Sequence, residues 1–190
     1  MAYPETSPFS KQIENKNFLS PIGFKFSLSR APKVDFFSNK ANIPDLTLGT
    51  AIQPTPLRDM DIPGDKIVFG DFNLSFIIDE DFENYLEIHN WIRSLGYPRD
   101  LGEYQRLLRQ RREVLNTDSE LPNIFSDGSL FILNSTYNVS MEIRFENLFP
   151  YSLQTLEFDA TMNDVEYFTS EVGFKYTMFE LYDPNGNRLS

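Results

Sequence analysis

Two runs of carboxylates are the first residues in this chain whose types and spacing could do chemistry. Asp59, Asp61 and Asp65 form one, and Asp79, Glu80, Asp81 and Glu83 form the other. A pair of acids flanking a glycosidic bond can serve as general acid and base, or as acid and nucleophile. The same residues need no such task. Loop acids are simply solvated, and acids at a helix start offset orphan backbone N–H groups and the positive end of the helix dipole. Near the C-terminus, Asp183-Pro184-Asn185-Gly186-Asn187 resembles the first half of a calcium loop, with oxygen-bearing residues at alternate positions. The distal glutamate of such a loop is missing before Ser190, and a tight turn centred on Asn185-Gly186 accounts for the same residues. His89 is the only histidine and cysteine is absent, so a multi-histidine site, a thiolate metal site and a disulfide are all excluded within one chain. Beside Trp91 in a helical run, His89 reads as a half-buried or surface helix residue. The sequence holds no Gly-rich phosphate loop, nucleophile elbow or metal-binding helix motif. It therefore predicts no catalytic residue, no metal and no cofactor.

Composition narrows the remaining classes. The 190 residues suffice for one well-packed domain, and an aromatic content of 15% supplies its core. A net charge of -11 argues against a surface built to grip phosphate backbones. It suits a wall that nucleic acid must pass without adhering. No apolar run reaches membrane-spanning length, and Met1 to Lys16 contain no hydrophobic signal core, so a soluble, cytoplasmically made chain without membrane insertion is expected. The Asn-x-Ser/Thr triplets at Asn73, Asn134 and Asn138 are then chance matches.

The elements that would position these residues are mostly strands. Residues 1–20 are polar, carry Pro4 and Pro8, and read as an extended arm preceding a single domain at 21–190. Phe24, Phe26 and Leu28 alternate with polar residues as a first strand, and a short apolar stretch, Val34 to Phe37, follows Pro32. From Ser38 to Pro63 the prolines at 44, 54, 56 and 63 predict a long connection with short extended pieces. A connection so long usually serves binding. Asp45, Leu46, Leu48, Pro54, Leu57 and Arg58 are accordingly candidate subunit-interface residues. Phe72, Leu74, Phe76 and Ile78 alternate as a half-buried strand, and Phe82, Tyr85, Leu86, Ile92 and Leu95 then repeat at helical spacing, with Gly96 as a stop. Four strands complete the chain: Leu130 to Leu133, Val139 to Phe145, Leu156 to Met162, and Val172 to Tyr182. An Asn-Leu-Phe-Pro-Tyr loop at Asn147 to Tyr151 separates two of them. The fold class predicted is mainly β, a sandwich or barrel with one flanking α-helix and a longer, partly helical insertion at 97–128.

Within that insertion Asp100 and Glu103 have capping-box spacing, and Arg99, Arg106, Arg109, Arg111 and Arg112 concentrate positive charge. The arginines fit either a solvated helix face or an electrostatic contact with the acidic surface of a like subunit. On the second reading Arg106, Arg109 and Arg112 join the interface candidates. A carbohydrate-binding sandwich module is a further possibility, with Tyr97, Tyr104 or Tyr151 stacking on sugar rings.

Gly64-Asp65 before a strand, then Phe76-Ile77-Ile78-Asp79-Glu80-Asp81-Phe82, Asn84-Tyr85 and Trp91, resembles the central signature of the tail-tube proteins of contractile-tailed bacteriophages. The later order is similar too, with the strand at Val139 to Phe145, the Asn147 to Pro150 turn, the strand around Leu156 to Met162 and an aromatic strand from Phe174 to Tyr182. The resemblance covers about residues 20–182. It implies a β-barrel or sandwich with one flanking helix, closed into six-membered rings that stack as a hollow tube. It further implies sheath, baseplate or neck proteins as partners, and DNA passing through the lumen during ejection. Strands lining a channel need a polar second face, which Ser140, Glu142, Arg144, Thr155, Glu157 and Asp159 supply as candidate lumen residues. The longer Tyr97 to Gly128 segment departs from the simplest members and leaves two positions open, the repeating tube subunit or a specialised ring at the tube's baseplate or head end.

Overall fold

The computed structural model describes residues 19, 21–96, 124–158 and 167–189, and its organising element is the long strand β7 (Val139–Leu153). The first half of β7 pairs with β6 (Ser126–Leu133) on one edge and β9 (Met178–Tyr182) on the other, and β1 (Phe24–Leu28) extends that sheet beyond β6. The second half pairs with β8 (Thr169–Lys175), which leads on to β5 (Phe72–Ile77) and then β2 (Ser38–Ala41). All of these pairings are antiparallel. The change of sheet happens at Glu146 and Asn147, which together oppose Asp127 between the pairs Ser126–Leu148 and Gly128–Phe145. Asn147 takes a φ of 55°, in the left-handed region that asparagine tolerates better than most residues. Such a bulge bends its strand, and a strand that switches sheets at a bend makes the corner of a β-sandwich.

The turn predicted at Asn147 to Tyr151 is therefore corrected to continuous strand. Pro150 is accommodated beside a second irregularity, where Tyr151 is the extra residue between the pairs Pro150–Phe174 and Ser152–Gly173. A Cβ on Gly173 would lie 2.9 Å from the Tyr151 ring and 2.4 Å from Ser152 Oγ, so a larger residue there must turn these two exposed side chains aside. The single aromatic strand predicted for Val172 to Tyr182 is two strands, β8 and β9, broken at Tyr176–Thr177. The strand predicted at Leu156 to Met162 is not formed over 156–158, which carry no regular structure, and its remainder lies outside the described residues.

Alternation puts the core between the two sheets. Along β5, Phe72, Leu74 and Phe76 are buried while Asn73, Ser75 and Ile77 are only partly so. Phe26 and Leu28 of β1, Leu130 and Ile132 of β6, Ile143 and Phe145 of β7, and Val172 and Phe174 of β8 complete one continuous cluster. Phe72 is at its centre, with ring centroids 4.6 Å from Phe145, 5.2 Å from Phe26 and 5.9 Å from Phe174. Burying a side chain of this size contributes about 1.5–3 kcal/mol.

Among the described residues two helices close the sandwich, the predicted flanking helix and a short one that the sequence did not announce. α1 (Pro32–Phe36) begins on a proline, whose fixed φ and missing N–H suit a first turn, and it buries Val34. α2 (Glu83–Gly96) starts at the last acid of the run, leaving Asp79, Glu80 and Asp81 ahead of it. Its inward face is Asn84, Ile88 and Trp91, flanked by the half-buried Tyr85, Ile92 and Leu95, whereas Leu86 points outward. Trp91 lies 6.2 Å from Phe174, and its Nε1–H donates to the Ile124 carbonyl at 3.2 Å. Buried Asn84 fastens helix to sheet. Its Nδ2 donates to the Ile77 carbonyl at 2.8 Å, and its Oδ1 accepts the Asp79 N–H at 3.4 Å.

The connection predicted from Ser38 to Pro63 is the largest correction. It holds β2 and then a two-stranded antiparallel ribbon, β3 (Leu46–Gln53) and β4 (Met60–Phe69), that pairs with no other strand among the described residues. Pro54 and Pro56 fall in the tip, where no ladder donor is needed, and Pro63 sits opposite Thr50 next to a register shift. Residues 126–128, assigned to the insertion by sequence, begin β6. The predicted helix in that insertion lies outside the described residues.

Candidate assembly surface

The ribbon is where side-chain chemistry and placement disagree most. Its residues are spaced as a strand should be, yet almost all of β3 and β4 is exposed. Alternation sends Leu46, Leu48, Thr50 and Ile52 to one face, joined by their cross-strand partners Phe69, Ile67, Pro63 and Asp61. Val68, Ala51, Ile62 and Met60 point to the other. Both faces are thus largely apolar. Ile52 is 66% exposed, Val68 62%, and Leu57 at the tip 98%. Apolar surface of this extent, with two strand edges unpaired among the described residues, is the form of a protein contact surface.

Among the described residues, the base of the ribbon is what anchors it. Phe69 packs edge-on against Tyr176 at 6.2 Å and Phe179 at 5.5 Å, and Gly70 N–H donates to the Asp45 carbonyl at 2.9 Å. Tyr176 Oη donates to the Gly70 carbonyl at 2.8 Å, and burial pushes the Tyr176 phenol up to about 12. Further out, β4 carries two more residues than β3 between the pairs Leu48–Ile67 and Thr50–Pro63. Here Gly64 crosses Gly49 so closely that a Cβ on Gly64 would be 2.6 Å from the Gly49 carbonyl oxygen.

The structure brings Asp45, Leu46, Leu48, Pro54, Leu57 and Arg58 together on this one ribbon, all of them exposed. Arg106, Arg109 and Arg112 lie outside the described residues. Sequence reasoning missed Ile52, Met60, Ile62, Ile67 and Val68. Their period-two spacing was legible, but the flanking prolines outweighed it. Asp59, Asp61 and Asp65 also sit on the open ribbon, where nothing encloses a substrate. Among the described residues no three metal-ligating side chains converge.

The second predicted group follows β7. Ser140 and Arg144 are exposed and Glu142 is half-buried, on the side opposite Ile143 and Phe145. Arg144 holds Glu142 through two bonds of 2.8 Å, Ser129 Oγ donates to the same carboxylate at 2.9 Å, and the Arg144 guanidinium lies 4.0 Å from the Tyr182 ring centre. The bond from Arg144 holds the Glu142 carboxyl below its usual range. Tyr182 Oη and Arg188 both bond Glu180. Ser129, Arg144, Glu180 and Tyr182 rim an open cleft of about 400 Å³ together with Asp127 and Glu146. Glu157 is exposed, and Asp159 lies outside the described residues.

The remaining chemical candidates resolve simply. Asp183 accepts the N–H groups of Asn185 and Asn187 at 2.9 and 2.8 Å, plus Asn187 Nδ2 at 3.0 Å, so the carboxylate organises a turn. Those bonds lower its pKa. Tyr151 donates to Asp71 at 2.7 Å, and the Lys175 ammonium, itself paired with Asp71, stands 5.1 Å from the Tyr151 ring centre. That ring is already engaged by the protein, whereas Tyr97 and Tyr104 lie outside the described residues.

The profile of the phage tail tube protein family matches residues 5–182. The chain belongs to that family. No curated protein matches it significantly in sequence. Among solved structures, this tail-tube family member is similar to a chain of the sheath–tube complex of an extracellular contractile injection system, PVC, in its extended state. The identity is 16%, over 94% of this chain and 99% of the other, with a TM-score of 0.58. A chain of the anti-feeding prophage tube-terminating cap is 16% identical over 93% and 99%, with a TM-score of 0.57. A chain of the anti-feeding prophage baseplate is 13% identical over 85% and 91%, with a TM-score of 0.51. At such identities the likeness is one of fold, and that fold is the mainly β architecture described above.

Proposed function

We propose that this chain is a tail-tube subunit that works by self-assembly and conducts DNA passively, without catalysis. Copies join into rings, six to a ring, and the rings stack into a tube inside the tail, with sheath and baseplate or neck proteins as partners. The observation that carries this reading is the β3–β4 ribbon, whose two apolar faces and two free edges have no use in an isolated subunit. Family membership supports it. A contact joining two different surfaces of one chain can both close a ring and stack rings, so one modest set of interfaces builds the object. Ser140, Glu142, Arg144, Glu157 and Asp159 are proposed to face the channel, where net negative charge keeps DNA from adhering. The interface residues are Asp45, Leu46, Leu48, Pro54, Leu57 and Arg58, with Arg106, Arg109 and Arg112.

Electron microscopy of the purified protein, alone and with a tail initiator, tests the proposal. Rings or tubes are expected, and a chain that stays monomeric at every concentration and salt would refute it. Labelling within assembled tails then separates the repeating subunit from a ring at the tube's end.

A further inference from the structure

Among the described residues a second unpartnered surface lies at the start of α2, away from the ribbon. Phe82 stacks on Phe158 at 6.4 Å and Phe158 meets Phe168 at 4.8 Å, yet Phe158 is 69% exposed. Leu86, one turn along from Phe82, and Tyr167, next to Phe168 in sequence, are exposed as well. Phe82 takes a φ of 58°, a left-handed conformation uncommon for an aromatic residue and typical of sites that hold a partner. Acids border the rings. Glu80 and Asp81 are exposed, and among the described residues neither has an ion-pair partner, whereas neighbouring Glu83 is paired with Lys33. An aromatic face bordered by uncompensated carboxylates selects a ligand that is both basic and apolar.

The chain itself contains such a ligand. Between Arg99 and Arg112 it carries five arginines against Asp100 and Glu103, with Leu107 and Leu108 in the middle. We infer that the Phe82–Phe158 patch of one copy receives the Arg99–Arg112 segment of a second copy. The second copy is favoured because chains of net charge -11 repel one another, and joining the acidic patch to the basic run offsets that repulsion where the copies meet. A planar guanidinium also stacks flat on an aromatic ring and bonds a carboxylate bidentately, geometry that an ammonium lacks. The contact joins unlike surfaces of like chains, the geometry that closes rings. This deepens the tube-subunit reading and rests on it.

Two full-length variants test the inference by sedimentation and electron microscopy. Glu80→Arg with Asp81→Arg reverses the patch, and Arg109→Glu with Arg112→Glu reverses the segment. Each alone is expected to associate about tenfold or more weakly than the unaltered chain, with an unchanged far-ultraviolet spectrum. An equimolar mixture is expected to recover association, because each variant then offers the other one matched pair of surfaces. Variants that assemble as well as the unaltered chain overturn this inference and leave the tube-subunit reading standing. Recovery only when all four substitutions share one chain places the contact within a subunit and overturns it too. An unaltered chain that never associates removes both.

Discussion

Asp35 shows how far one partly buried acid can depart from its solution behaviour. Its Oδ2 accepts the Leu28 N–H at 2.9 Å, but Oδ1 is buried without a partner, and burial raises the pKa from 3.8 to about 6. The folded chain therefore binds this proton more tightly than the unfolded one. The stability contributed is complete below the unfolded value and declines as pH rises from about 4 to about 6, remaining flat above. Asp35→Asn, which can still accept from Leu28, is expected to raise the melting temperature at about pH 7.5 and to change it little at about pH 4. Thermal denaturation at the two pH values checks the sign. Asn84 makes the opposite case, since its buried amide is satisfied by Ile77 and Asp79. Asn84→Leu leaves the Ile77 carbonyl and Asp79 N–H without it, and should cost about 1–3 kcal/mol by chemical denaturation. The Asn84-Tyr85 pair was visible in sequence as part of a family signature. Its fastening role was not, because nothing local distinguishes a buried helix asparagine from a solvated one.

Among the elements, those whose pattern is local were legible. β1, β5 and the first half of β7 keep strict alternation, and α2 changes period where the acids intervene, so residue types alone predict them. The elements that were misread depend on distant partners. Asn147-Leu148-Phe149-Pro150 has the chemistry of a turn, but pairing to β8 holds it extended. The prolines of the 38–63 stretch suggest loop, yet they occupy a ribbon tip and a register shift that sequence cannot foresee. The candidate surface was therefore found in part, through Leu46, Leu48 and Leu57, and for the wrong reason. Two glycines test this account. Gly173→Ala drives a Cβ into Ser152 Oγ and the Tyr151 ring, exposed groups that must turn aside, and is expected to cost about 0.5–1.5 kcal/mol in denaturant titration. Gly64→Val pushes the ribbon strands apart at Gly49 while touching none of the core, so the melting transition should hold and association should fall.

At the scale of the whole molecule, charge and the ribbon divide the work. In the proposed tube, the apolar faces draw copies together, and a net charge of -11 keeps the wall from holding DNA. Ser140 and Glu157 are the two proposed channel residues best suited to a test, because both are exposed and no described side chain bonds either one. Replacing them with lysine should leave each subunit folded while placing two cations per copy on the proposed channel wall. Tubes of the unaltered protein are expected to show no retention of double-stranded DNA at low salt. Tubes of Ser140→Lys with Glu157→Lys are expected to retain it, with an affinity that falls steeply as salt rises, by a log–log slope of about 0.9 for each phosphate engaged. The length of the DNA supplies the needed control. Short duplexes that can enter a tube should be protected from nuclease, whereas cations on an outer wall would bind DNA and leave it open to digestion. Retention without protection would move these residues to the outside and reverse which face of β7 meets the channel.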